Sequence, residues 1–112
     1  MDRSQLLRGT LDAAVLAVIS EQDGYGYDVL RRLRDGGLAD VGDASVYGTL
    51  RRLYRGGALT SYVVPSEEGP HRRYYGITEV GSARLSEARE TWTEFARTVG
   101  VLLEESDAEV TA

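Results

Sequence analysis

The sequence predicts an α+β fold that is mostly helical, with three short helices, a β-hairpin and one long C-terminal helix. Three observations lead to this prediction. Apolar residues recur at helical spacing in three successive segments, and glycines follow each of them. The spacing then changes to the period of two that is typical of strands. A long stretch with apolar residues at heptad spacing follows the strands.

The first two helices are predicted from their apolar faces. Residues 4–20 form the first helix, because one face collects Leu7, Leu11, Ala14, Val15 and Val18. The segment EQDGYG after it is predicted as a turn, since it contains two glycines. Residues 26–35 form the second helix, which ends at Gly36 and Gly37.

The third helix is predicted over residues 44–55, with Asp43 as its N-cap. Its polar face is rich in arginine, and a helix of about 10–12 Å diameter fits the major groove of DNA. A solvated surface face is the alternative interpretation. We assign DNA contacts to the residues of this face and its flank: Ser45, Tyr47, Thr49, Arg51, Arg52 and Arg55.

A β-hairpin is predicted after the third helix. Residues 59–64 and 72–77 are rich in β-branched and aromatic residues, and a polar loop with two prolines joins them. His71, Arg72 and Arg73 follow the loop tip and are predicted to contact the DNA backbone or minor groove. An edge hairpin with protective charges is the alternative. Three helices with an arginine-bearing third, followed by an arginine-bearing hairpin, together predict a winged helix-turn-helix.

The long C-terminal helix is predicted to begin after Thr78 and to reach about residue 104. Its apolar residues follow a heptad pattern, which is typical of a helix that pairs with a second helix. A homodimer supplies that partner, and packing on the chain's own first helix is the alternative. The predicted dimerisation residues are Leu85, Ala88, Trp92, Phe95, Val99 and Leu102.

The charge distribution allows a nucleic-acid partner although the net charge is -5. Residues 1–75 carry ten Arg and ten acidic residues, whereas residues 76–112 carry three Arg and eight acidic residues. Binding of DNA depends on local charge, so the acidic C-terminal third does not exclude it. We predict a DNA-binding domain at 1–77, a dimerisation helix at 78–105 and an acidic disordered tail at 106–112.

The composition narrows the functional class further. The sequence has no cysteine and one histidine, so thiolate chemistry and disulfides are excluded and no metal site is predicted. No nucleophile with an adjacent base stands out, and we expect neither an enzyme nor a cofactor. There is no apolar run of about 18 residues and no signal-peptide pattern, so we expect a cytoplasmic protein without a membrane partner.

Several motifs in one order resemble the PadR-like transcriptional regulators. They are LLRGTLDAAVLAVIS, GYGYDVLRRLRDGG, SVYGTLRRLYRGGALTSY and GPHRRYYGITEVG. The resemblance extends from residue 6 to about residue 103 and is to the short form with a single C-terminal dimerisation helix. Two positions depart from the family pattern: Tyr25 stands where the family usually has His, and Gly48 where it often has Pro.

The resemblance implies a dimeric winged-helix repressor on a palindromic operator in double-stranded DNA. Some members respond to phenolic acids or bulky aromatic drugs, and this implies a small aromatic effector next to Trp92 and Phe95. On the residues alone, Trp92 is a packing residue of the dimer. A winged-helix module that binds an acidic protein instead of DNA is the alternative function.

Overall fold

The computed structural model describes residues 1–105, so the predicted acidic tail at 106–112 lies outside the described residues. The elements in chain order are α1 (Arg3–Glu21), β1 (Gly24–Tyr25), α2 (Gly26–Asp35), α3 (Asp43–Arg55), β2 (Leu59–Val64), β3 (Arg72–Ile77) and α4 (Glu79–Leu103). The predicted fold class is confirmed, and every predicted helix and strand is present within about one residue at each end.

Two local predictions are wrong. The turn before α2 contains the short strand β1, which pairs with β3 and gives a three-stranded antiparallel sheet in the order β1-β3-β2. A strand of two residues carries no periodicity, so no sequence pattern indicates it. Asp43 is the first residue of α3 rather than its cap, and Gly42 occupies the N-cap position without a side-chain hydrogen bond.

The core lies between the first three helices and the sheet. α2 and α3 bury their predicted apolar faces. In α1 the predicted Leu11 and Val15 are buried, but Leu7, Ala14 and Val18 are half-buried, and the core takes Leu16 and Ile19 instead. Leu16, Leu30 and Leu50 are each at most 2% exposed. Burial of a side chain of this size stabilises the fold by about 1.5–3 kcal/mol. α2 and α3 end at glycine pairs, and Gly37 and Gly57 both have positive φ (118° and 83°), which glycine adopts without strain. The core therefore fixes how α3 presents its other face.

The start of α4 is locked onto the domain. Thr78 Oγ1 accepts a hydrogen bond from the Gly81 amide at 3.0 Å and donates to the carbonyl oxygen of Gly57 or Ala58. Gly81 touches the turn after α3, because a Cβ there would lie 2.1 Å from the carbonyl oxygen of Ala58. Any side chain would push α4 away, so Gly81 fixes the direction of α4 relative to α3.

Its own chain buries α4 mainly at the N-terminal part of the helix. Leu85 is 4% exposed and belongs to the core, which corrects its assignment to the dimer seam. Ala88 is half-buried and lines a hollow with Gly9, Ala13 and Leu16 of this chain, so it too faces α1. Heptad spacing shows which residues share a face but not which neighbour covers them. For Ala88 the neighbour is α1, and for Leu85 it is the core of the domain.

Candidate nucleic-acid interface

The outward face of α3 carries the arginines that the sequence analysis assigned to DNA. Ser45, Arg51, Arg52 and Arg55 are all exposed, and they flank the half-exposed Gly48. The helix presents them because its apolar residues occupy the opposite side and are buried. Among residues 1–105, neither Arg51 nor Arg55 forms an ion pair. Their guanidinium groups are free to donate to phosphates or base edges.

Thr49 does not belong to this exposed face, which corrects the prediction. Its side chain is only 3% exposed. On a helical wheel Thr49 stands only about 40° from Leu53, since each residue advances the helix by about 100°. It therefore borders the buried stripe, and only its edge reaches the surface between α1 and α3.

Tyr47 is half-buried and packs against the beginning of α2. A Cβ on Gly26 would lie 2.2 Å from Cε1 of Tyr47, so this glycine leaves the space that the ring occupies. The ring also lines a small hollow with Tyr25, Arg72 and Arg73. Tyr47 thus connects α3 to the wing, and its predicted direct contact with DNA remains a prediction.

A broad groove runs between α1 and α3. Its volume is about 720 Å³, and its charged lining includes Arg8, Arg51, Arg52 and Arg55. Asp12 and Asp40 also line it. Arg8 was missed by the sequence analysis. The spacing of four between Arg8 and Asp12 places them on one face of α1, but no pattern indicates that this face lies beside α3.

Arg52 and Asp12 form an ion pair across this groove, between Nη2 and Oδ1. The side chains are 61% and 39% exposed, so water screens the attraction. The contact occupies one of the five guanidinium donors. The pair holds the Arg52 side chain over the groove and leaves its other N–H groups able to donate.

The wing is β2, β3 and the loop between them, and it presents all three predicted residues at the surface. His71, Arg72 and Arg73 are exposed at the loop end of the hairpin. Arg73 Nη1 donates to Ser61 Oγ at 2.9 Å. The guanidinium carbon of Arg72 lies 4.4 Å from the ring centroid of Tyr25, which is a cation–π contact. These contacts orient two cations that a flexible loop would leave mobile.

An aromatic cluster that the sequence analysis did not single out supports the wing. Tyr62 and Tyr74 are opposite each other across β2 and β3 and stack at a centroid distance of 5.8 Å. Tyr74 also contacts Tyr25 of β1 at 5.4 Å. The Tyr62 hydroxyl donates to Asp23 at 2.6 Å, and this hydrogen bond raises the pKa of Tyr62. Cross-strand aromatic pairing would have indicated the cluster once the hairpin register was known.

Gly48 gives a prediction in which stability and binding move in opposite directions. A Cβ at Gly48 would meet nothing within 4 Å, so the fold itself has room for a side chain there. We expect Gly48→Ala to stabilise the protein by about 0.5–1 kcal/mol, because alanine is the better helix former. We expect it to weaken DNA binding, because the added methyl group holds the DNA away from the α3 backbone. Thermal unfolding and DNA titration measure the two effects, and a less stable variant would contradict the first.

Within residues 1–105, no three His, Cys, Asp or Glu side chains converge as metal ligands. The same part of the chain contains no helix with the length and apolarity needed to traverse a bilayer.

A comparison with protein families finds the model of the transcriptional regulator PadR-like family over residues 15–87. This match spans more than half of the chain. The chain belongs to the PadR-like family. The family and the fold are those of transcriptional regulators rather than enzymes.

Solved structures of PadR-like proteins share this fold. A PadR-like transcriptional regulator from Bacillus cereus is 32% identical with a TM-score of 0.80, and the match covers 91% of this chain and 99% of that one. A family member from Eggerthella lenta is also 32% identical, with a TM-score of 0.82 and coverage of 91% and 88%.

A similar sequence is that of an uncharacterized protein from Lysinibacillus sphaericus, which is 32% identical over 93% of this chain and 97% of its own length.

A more distant structure is that of Bacillus subtilis PadR in complex with operator DNA. It is 20% identical with a TM-score of 0.64, and the match covers 70% of this chain and 45% of that one. This likeness concerns the fold alone. The family match and the shared architecture make the chain a PadR-like transcriptional regulator with a winged-helix fold.

Proposed function

We propose that this PadR-like regulator is a homodimeric repressor that binds a palindromic operator in double-stranded DNA and is released by a small aromatic effector. The observation that carries the proposal is the shared surface of α3 and the wing. The exposed Arg51, Arg52 and Arg55 of α3 and the oriented Arg72 and Arg73 of the wing suit contacts in a groove and on the flanking backbone. The operator complex of the B. subtilis protein supports this use of the fold.

DNA binding is tested by titrating the protein into two labelled duplexes of equal length. One carries the DNA upstream of the protein's own gene and the other a scrambled sequence. We expect tighter binding to the first duplex, and affinity for both that falls linearly with log salt concentration. Equal, salt-independent affinities would contradict the proposal and favour the alternative module that binds an acidic protein.

The proposed dimer rests on the uncovered part of α4. Beyond Ala88, Trp92 is 50% exposed, Phe95 59% and Leu102 78%, although all three are large and apolar. Val99 is half-buried. A contiguous apolar stripe of this kind is typical of an interaction surface. The same helix of a second subunit covers it, and a dimer places two α3 helices for two half-sites of one operator.

The proposed effector site lies next to Trp92. Its indole lines a cavity of about 370 Å³ together with Leu6, Leu7, Leu38 and Val41. The last two residues belong to the connector between α2 and α3, so a bound ligand would contact the segment that leads into the recognition helix. The ligand shifts the protein away from DNA only if it binds the two conformations with different affinities.

Trp92 is the only tryptophan, so its fluorescence reports on this cavity. We expect planar phenolic or polycyclic aromatic compounds to quench it saturably and to release DNA in the same concentration range. We expect Trp92→Ala to lose the release at protein concentrations where sedimentation shows the variant still dimeric through Phe95, Val99 and Leu102. A variant that still responds would show that Trp92 is a packing residue only.

We also expect the regulator in the cytoplasm, because it must reach the chromosome.

A further inference from the structure

The groove between α1 and α3 is lined from both helices, and α1 contributes a cation of its own to it. Arg8 is exposed and lines the groove opposite Arg51 and Arg55. Within residues 1–105, Arg8 takes part in no ion pair. By contrast, the three arginines of α2 are all paired with aspartates: Arg31, Arg32 and Arg34.

The charge of the groove favours an anionic ligand. Four guanidinium groups line it, from Arg8, Arg51, Arg52 and Arg55, against the carboxylates of Asp12 and Asp40. Asp12 is already paired with Arg52. The unpaired arginines therefore dominate the potential in the groove. Arginine donates to phosphate oxygens through two parallel N–H groups, which makes phosphate the matching ligand.

The position of the groove indicates the source of that phosphate. The major groove is about 12 Å wide and a helix with its side chains about 10–12 Å across, so an inserted α3 fills the groove between the two backbones. A helix that lies beside α3 then faces the backbone at the rim of the groove. α1 and α2 both pack beside α3, and α1 is the one that lines this groove, with Arg8 as its cation.

We propose that the groove between α1 and α3 is a phosphate-binding site in which Arg8 contacts the DNA backbone at the rim of the half-site. This inference rests on the proposed function. It extends the interface from α3 and the wing to the first helix of the domain. It assigns to Arg8 a contact that adds affinity for DNA of any sequence, because phosphates are the same in every sequence.

The experiment compares Arg8→Gln and Arg8→Lys with Arg97→Gln as a matched control. Arg97 is exposed on α4, outside the groove, at a position of the heptad pattern that faces away from the apolar seam. Each intact protein is titrated with its own upstream DNA and with a scrambled duplex at salt concentrations from about 50 to 200 mM. Circular dichroism and sedimentation establish that fold and assembly are unchanged.

We expect Arg8→Gln to lower the slope of log affinity against log salt by about 0.9 for each phosphate that the variant no longer neutralises. The ratio of wild-type to Arg8→Gln affinity for DNA then shrinks by about threefold as the salt concentration rises from about 50 to 200 mM, and it does so equally on both duplexes. We expect Arg8→Lys to restore the slope and Arg97→Gln to leave it unchanged. A slope for Arg8→Gln that equals the wild-type slope would overturn the inference.

A free phosphate compound is the other source of the same chemistry, and inorganic pyrophosphate serves as its probe. Pyrophosphate that binds the wild type at micromolar concentration and fails to bind Arg8→Gln, with the DNA slope unchanged, would overturn the DNA assignment. If the wild type itself shows no salt-dependent DNA binding, the proposed function fails. If the wild type binds DNA and only the Arg8 effect is absent, this inference alone fails.

Discussion

Phe95→Asp is expected to convert the protein into monomers and to abolish operator binding. Phe95 is 59% exposed in the single chain and lies on the apolar stripe of α4. In the dimer interface the carboxylate of an aspartate there would lose its hydration and gain no oppositely charged partner, and this desolvation costs several kcal/mol. Two linked α3 helices bind an operator far more tightly than one, because the second half-site is bound intramolecularly. Sedimentation at micromolar concentration and DNA titration measure the two losses.

A matched control separates lost assembly from a damaged fold. Thr93→Asp adds the same charge to an exposed position of α4 that faces away from the apolar stripe, and we expect it to remain dimeric. Because Phe95 lies outside the core of its own chain, circular dichroism of the Phe95 variant should show an intact helical domain. A wild type that sediments as a monomer at micromolar concentration would refute the proposed dimer.

Arg52→Ala is expected to weaken operator binding by about 1–3 kcal/mol, which is the range for one bidentate contact to a base. It should also reduce the difference in affinity between operator and scrambled DNA. Arg52→Lys is the informative control, because it keeps the charge and removes the planar pair of donors. We expect the lysine variant to keep the salt dependence and to lose sequence preference. Competition titrations with both duplexes measure the two quantities.

Arg73→Ala is the matched comparison in the wing. Because this residue is expected to contact phosphate, its removal should weaken operator and scrambled DNA together and lower the salt slope by about 0.9. The fold should survive, since Arg73 is exposed and its only side-chain hydrogen bond within residues 1–105 is to Ser61. Unchanged DNA binding in both the Arg52 and the Arg73 variants would refute the assignment of α3 and the wing to DNA.

Local signals predicted most of the secondary structure. Thr78 caps α4, and the glycine pairs end α2 and α3. Both hairpin strands have their predicted bounds. Each of these signals acts within a few residues, so it is readable from the sequence alone. The strand β1 was missed for the converse reason, because two residues become a strand only when β3 lies beside them.

The exposed polar face of α3 was predicted except at its edge. The exposed arginines of α3 lie where the helical wheel places them. Thr49 is buried, because α1 packs beside α3 and leaves only the edge of Thr49 at the groove. A wheel orders side chains around one helix, whereas their exposure depends on how closely a second helix packs. The same limit hid Arg8, whose neighbours across the groove come from α3.

The sequence by itself determined the helices, the hairpin, the arginine-bearing face and the apolar stripe of α4, because periodicity and capping are properties of neighbouring residues. Only the tertiary structure decided which part of that stripe is covered by the chain itself. The core takes Leu85 and α1 takes Ala88, Trp92 borders a cavity next to α1 and is half exposed, and Phe95 and Leu102 stay uncovered. Burial depends on contacts between residues distant in sequence. The apolar pattern of one helix therefore does not specify which other element packs against it.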